Sequence, residues 1–238
     1  MEKGILMVRN PDTHFLLLQL NDAFFPIGAY AHSYSLETYI QQELVHDRVS
    51  AAQWLVHYLK LSLLYSGLLP VRLAYEAAQQ DDQMELRRLE SRIKAAKAPM
   101  ELRQASQKLG TRLVKTVRTL EMSFVSGIFV RYADLCKMTG VSHAVAYGVL
   151  CADCGIEKSA AIENYLYAQT SGIVNTCVKS VPLSQTDGQR MLLGCQSVWR
   201  ELLIKLSELS ADALCLSTPG MDIRSMQHEI LYSRLYMS

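Results

Sequence analysis

Residues 51 to 67, "AAQWLVHYLKLSLLYSG", constrain the fold most: Trp54, Leu55, Tyr58, Leu61, Leu64 and Tyr65 recur three and four apart. That spacing places side chains on one face of an α-helix, whereas a half-buried strand needs alternation with period two. No part of the chain alternates in that way. Ser50 reads as the N-cap of this helix, Gly67 as its end, and Pro70 as the first turn of "VRLAYEAAQQ". Pro99 opens "MELRQASQKLGTRLVKTVRTLE", in which Leu102, Leu109, Leu113, Val117 and Leu120 form an apolar face and Lys108, Arg112 and Lys115 a wet one.

Two further helices are predicted, "SFVSGIFVRYADLCKM" ended by Gly140 and "HAVAYGVLCADC" between Ser142 and Gly155. From Glu157 the pattern reaches Pro182, as one central helix or as two broken at Ser171-Gly172, and resumes from about Gln185. With no internal repeat and no low-complexity linker, the expectation is one all-α bundle of about ten helices. It spans residues 13–210, after an N-terminal extension (1–12) and before a C-terminal tail (211–238) that Pro219-Gly220 detaches from the body. The segment of about fifteen residues beyond Pro219-Gly220 is marginal as a free helix, so it is expected to be mobile until a partner orders it.

Charge and composition narrow the function. The 24 basic and 23 acidic side chains are interspersed, which argues against a nucleic-acid binder, because phosphate affinity needs unpaired cations on one face. Apolar stretches such as "LSLLYSGLLPV" are interrupted well short of the ~20 residues of a membrane span, and the N-terminus lacks the core and cleavage site of a signal peptide, so a cytoplasmic protein is expected. The six cysteines, scattered through helical pattern, read as reduced and mostly buried. Hydrophobic residues reach 50%, more than one monomer's core readily hides, which points to oligomers and partners.

Catalytic constellations are weak. Cys151 and Cys154 in "CADC" have redox or zinc spacing, but no second ligand pair matches them and they end a helical pattern. Asp81, Asp82 and Glu85 in "DDQME" have the look of magnesium-binding carboxylates in an α-helical metal-dependent transferase, the enzyme alternative, yet a facing carboxylate set is missing and acids also suit a helix N-terminus. The histidines stand singly, and neither a GxxxxGK[ST] nor a GxGxxG loop occurs. Polar and aromatic chemistry concentrates instead in the bend "FFPIGAYAHSYSLE", in "VKSVPLSQTDGQ" and in the tail. In the bend, Pro26 and Gly28 fix Tyr30, His32 and Ser33, with Ser33 a candidate cap and Tyr34 and Leu36 turned inward. Fixed aromatics and a tail with apolar anchors suit binding.

The segments "LQLNDAFFPIGAYAHSYSLETYI", "AQTSGIVNTCVKSVPLSQTDGQ" and "MQHEILYSRLYMS", with "APMELRQASQKLG" between them, resemble the urease accessory protein UreF family over almost the whole chain. The resemblance implies an all-helical homodimeric chaperone, not an enzyme, that bridges UreD (also UreH) and the GTPase UreG to the urease structural subunits and supports nickel insertion. It implies no tightly bound cofactor, with nickel handled only within the accessory complex, and a role in tuning the GTPase. Carried over by residue, Tyr30, His32, Ser33, Leu36 and Glu37 fall in the family's signature bend and Arg234 and Tyr236 at the UreD side. Tyr167, Lys179, Pro182, Gln185, Asp187 and Gln189 fall at dimer-facing or GTPase-facing positions. Ala29 stands where Gly or Ser is more usual and Ser35 where Gly is usual, the latter a sterically mild change at a helix start.

Overall fold

The computed structural model describes residues 12–28, 32–216 and 218–236, and within them the chain is helical with no strand. Helices α1 (Thr13–Asn21) and α2 (Leu36–Gln41) flank the bend. A long rod follows: α3 (Arg48–Tyr58), a π-helical segment (Leu59–Leu68) and α4 (Leu69–Gln79). Then come α5 (Gln83–Ala96), α6 (Met100–Thr119), α7 (Ile128–Leu135) and α8 (His143–Asp153). The chain continues through α9 (Lys158–Ser180), α10 (Gln185–Gly194), α11 (Gln196–Glu208) and α12 (Pro219–His228).

The rod departs from expectation at both ends of its first helix. Asp47, not Ser50, is the N-cap: its carboxylate accepts from the Ser50 N–H at 2.8 Å while Ser50 Oγ accepts from the Asp47 N–H at 3.1 Å, a reciprocal capping box. Nor does Gly67 end the helix. Leu63, Leu64, Leu68 and Leu69 are all buried around it, and that burial outweighs the ~1 kcal/mol a glycine costs inside a helix, so the chain widens to π geometry and runs on. Pro70 then sits in the first turn of α4 as expected.

Helix α8 is the centre of the core, buried at every position from His143 to Cys151. It packs on α4 and α6 so closely that a Cβ on Gly148 would lie 2.4 Å from the Val71 carbonyl oxygen, and one on Gly110 2.3 Å from that of Val141. Two buried carboxylates hold its ends. Asp153 accepts from the Ser126, Gly127 and Phe129 N–H groups at 2.8, 3.0 and 2.9 Å, which fixes the loop and delays the start of α7 to Ile128. Glu90 accepts from the Ser142 N–H at 2.9 Å and from the Tyr132 hydroxyl, and burial holds it above the usual carboxylate range. Ser142 occupies the cap position of α8, but its side chain makes no capping bond; the Glu90 carboxylate takes its N–H instead.

Helix α9 passes Ser171-Gly172 unbroken, because Ile173, Val174 and Cys177 beyond the pair are as buried as Tyr165 and Leu166 before it. The tail differs more. Pro219 is the first residue of α12, where its missing N–H costs nothing, and α12 lies on α2 and α6. Thr38 Oγ1 donates to the Arg224 carbonyl at 2.9 Å and Gln41 Nε2 to the Ser233 carbonyl at 2.7 Å, so residues 218–236 are docked on the body, not detached from it. The N-terminal extension lies outside the described residues except for Asp12, which caps α1.

Candidate functional site

The bend is built on left-handed backbone. Tyr34 and Ser35 hold φ of 49° and 72°, and this pair turns the chain into α2. The turn bonds its own first-turn donors, Leu36 N–H to the Ser33 carbonyl at 3.0 Å and Thr38 N–H to that of Ser35 at 3.1 Å. No side-chain cap is then needed. Ser33 is fully buried, its hydroxyl has no partner among the described residues, and it does not cap α2 as expected. Tyr34 and Leu36 do pack inward: Leu36 is fully buried, and the Tyr34 ring lies 5.6 Å from that of Tyr58 with its hydroxyl donating to Gln169 Oε1 at 3.3 Å. Burial pushes the Tyr34 phenol up to about 12. Tyr30 and Ala29 lie outside the described residues.

Glu37 turns inward from α2, where it is only 5% exposed, and gathers the tail. Its carboxylate accepts from the Leu235 N–H at 2.6 Å and the Tyr236 N–H at 3.2 Å, and His228 Nε2 lies 3.0 Å away. Glu101 in the first turn of α6 takes His228 Nδ1 at 2.6 Å and Arg234 Nη1 at 2.8 Å. Glu37 and Arg234 are therefore joined through one cluster. Tyr236 takes part by its backbone. Glu101 and His228 were not singled out in the sequence, where the only signal was polar residues at the ends of apolar stripes.

A groove of about 490 Å³ runs between the bend, α9 and α10, lined by Asp22, His32, Tyr167, Asn175, Gln185 and Gln189 among others. It brings His32 of the bend beside Tyr167, Gln185 and Gln189. At its floor His143 lies 5.6 Å from the Tyr165 ring, and burial, with Lys97 and His32 nearby, lowers it to about 4. Tyr167 is half-exposed, edge-on to Trp199 at 5.8 Å. Lys179 is exposed in the last turn of α9, where a cation favours the helix dipole. Asp187 is engaged in the capping box of α10: its carboxylate accepts from the Ser184 hydroxyl at 2.7 Å and meets Arg190 at 3.2 Å, which lowers it below the usual carboxylate range.

The other constellations are structural. Asp82 accepts from the Glu85 N–H at 2.9 Å as N-cap of α5, Asp81 pairs with Arg131 at 2.5 Å, and Glu85 faces Arg88 at 3.5 Å, so the three carboxylates have separate partners. No group of three or more metal-ligating side chains gathers among the described residues. Cys151 is buried within α8 and Cys154 ends it, with burial raising both thiols, Cys154 to about 12; such thiols are poor nucleophiles. No helix among the described residues is long and apolar enough to cross a membrane.

The family model of UreF matches residues 45–196. The chain belongs to the UreF family. It is similar to the urease accessory protein UreF of Bacillus sp. (strain TB-90), with 33% identity over 93% of this chain and 97% of that protein. It is also similar to the urease accessory protein UreF of Lachnoclostridium phytofermentans, with 32% identity over the same shares. The match to the family model leaves out the bend and the tail but includes Glu101, whereas the two relatives align over nearly the full length.

Proposed function

We propose that this UreF-family chain is a non-catalytic scaffold of urease maturation in the cytoplasm, bridging UreD and the GTPase UreG to apo-urease so that nickel is inserted there. Nickel is its cargo within the accessory complex, and it holds no cofactor of its own. The observation that carries the reading is full-length similarity to urease accessory proteins in a chain whose chemistry-bearing side chains are spent in packing and caps. In this reading the docked tail and the bend face UreD. The groove rim with Tyr167, Gln185 and Gln189, together with Lys179 and Asp187, serves the second copy of a homodimer or UreG, whose GTPase cycle the chain tunes.

Co-expression with UreD, UreG and apo-urease tests it. The chain is expected to co-purify with UreD and UreG, and nickel-dependent urease activity is expected to vanish when it is omitted. Full urease activation without the chain would overturn the proposal, and GTP turnover by the purified chain above a heat-treated control would overturn its non-catalytic part.

A further inference from the structure

A cavity of about 100 Å³ lies between the turn from α5 to α6, the π-helical segment, α9 and the first turns of α12. Tyr34, His143, Tyr165 and Gln169 line both this cavity and the groove described above, so they form the wall between the two. A space of this size holds about three waters, or one small ion of about four or five heavy atoms.

Its lining carries polar groups with nothing to bond. Lys97, just past the end of α5, makes no hydrogen bond and no ion pair among the described residues, and burial holds its ammonium below the ordinary lysine range. Glu90 lies near enough to oppose that effect, but its carboxylate is spent on the Tyr132 hydroxyl and the Ser142 N–H. Asp222, the carboxylate of the lining, is itself engaged. Ser225 on α12 is 1% exposed, and its hydroxyl has no partner among the described residues, not even the carbonyl one turn back that a helical serine commonly takes. The buried phenols of Tyr58 and Tyr165 make no hydrogen bond there either. Helices α6 and α12 both begin at this wall, after Pro99 and Thr218, and neither has a side-chain cap.

A desolvated ammonium without a counter-ion is costly, and so is each buried hydroxyl without a partner. Water in the cavity would serve the hydroxyls and leave the charge uncompensated, whereas a metal cation would be repelled by the ammonium. An anion with several acceptor oxygens satisfies both needs, and the positive ends of two helix dipoles favour it. We propose that this cavity binds a small oxyanion of carboxylate or phosphate type, held by the Lys97 ammonium and the Ser225 hydroxyl, with the Tyr58 and Tyr165 hydroxyls as further donors. The bound ion ties the turn after α5 to α3, α9 and α12, elements far apart in the chain, and so fastens α12 to the body.

Thermal melts and calorimetric titration of the full-length chain at about pH 7 test the site, with formate or inorganic phosphate replacing chloride at fixed ionic strength. The wild-type midpoint is expected to rise with at least one of the two oxyanions and to level only as mass action requires. Formate alone acting assigns the site to a planar carboxylate-type ion and phosphate alone to a tetrahedral one; either supports it. Lys97→Met is expected to weaken the active oxyanion about tenfold or more, as loss of a charge-assisted bond does, and Ser225→Ala about threefold or more. In chloride alone Lys97→Met is expected to melt at or above the wild type, because it removes an unpaired buried charge. Three outcomes would overturn the proposal: equal wild-type midpoints in chloride and in both oxyanions, undiminished oxyanion affinity in Lys97→Met or in Ser225→Ala, or a Lys97→Met variant that melts well below the wild type in chloride, which would show the ammonium to be satisfied within the fold.

Discussion

Ser35 holds φ at 72°, a conformation in which an L side chain crowds its own backbone by about 1–2 kcal/mol and glycine does not. The resemblance marks this position as usually Gly, and from the sequence alone the replacement is sterically mild; the left-handed backbone shows that it carries strain. Against the ~0.5–1 kcal/mol of extra entropy that glycine loses on folding, Ser35→Gly is expected to stabilise the chain by about 0.5–1 kcal/mol, read as a higher urea midpoint at unchanged slope. His143 supplies a second test at the same scale. Burial holds it at about 4 against an ordinary 6.5, so the folded chain binds this proton less tightly than the unfolded one. Stability from His143 is therefore complete above about pH 6.5 and falls as pH drops toward about 4, by up to about 3 kcal/mol. His143→Gln is expected to flatten that part of the stability profile in urea titrations across the window. An identical acid slope in variant and wild type would show that His143 does not set it.

Between elements, the α4–α8 contact is the tightest test of the core. A methyl on Gly148 would fall 2.4 Å from a backbone carbonyl oxygen of α4, which no rotamer change relieves, so Gly148→Ala is expected to cost about 1–3 kcal/mol or more, as overpacking does. Gly172→Ala, on the open face of α9, is expected to be neutral or stabilising, by up to about 1 kcal/mol. Thermal melts of the pair check both, and a Gly148→Ala variant as stable as the wild type would contradict the packing. The two glycines also mark how much of the fold was legible in sequence. Helices α6, α8 and α9 follow from periodicity and from the Pro and Gly that bound it, because those signals are local. Gly67 reads as a helix end and is not, and of the two readings left open at Ser171-Gly172 the unbroken helix is the one found, since the burial that carries the helix through both comes from distant elements. The docked tail was illegible for the same reason: its hold depends on Glu37 and Glu101, more than a hundred residues away in the chain. Of the candidate site, resemblance supplied Glu37, Arg234 and the groove residues, and only geometry revealed that Glu37 binds the tail and that Asp187 caps a helix.

On the whole molecule, exposed apolar residues collect in separate regions, which bears on the number of partners. Phe15, Leu18 and Phe24, 68%, 50% and 93% exposed, lie on α1 and the turn after it. Ile230, Tyr232 and Leu235 lie on the tail, and Leu193 and Ile204, 67% and 65% exposed, on α10 and α11. Single exposed apolar residues are ordinary, but clustered ones mark contact surfaces. One of them is expected to close a homodimer, whose light-scattering mass would be about twice the 26.8 kDa of the chain. A monomer at micromolar concentration would contradict this. The half-exposed Tyr167 beside Trp199 belongs to the groove face and Phe15 and Leu18 to the α1 face, so charge substitution separates them. If the groove face closes the dimer, Tyr167→Asp is expected to yield monomers with helicity intact while Leu18→Asp leaves the dimer whole, because burying an unpaired carboxylate in an apolar interface costs several kcal/mol. The reverse result would place the twofold contact on α1 and leave the groove rim, with Gln185 and Gln189, outside the dimer contact.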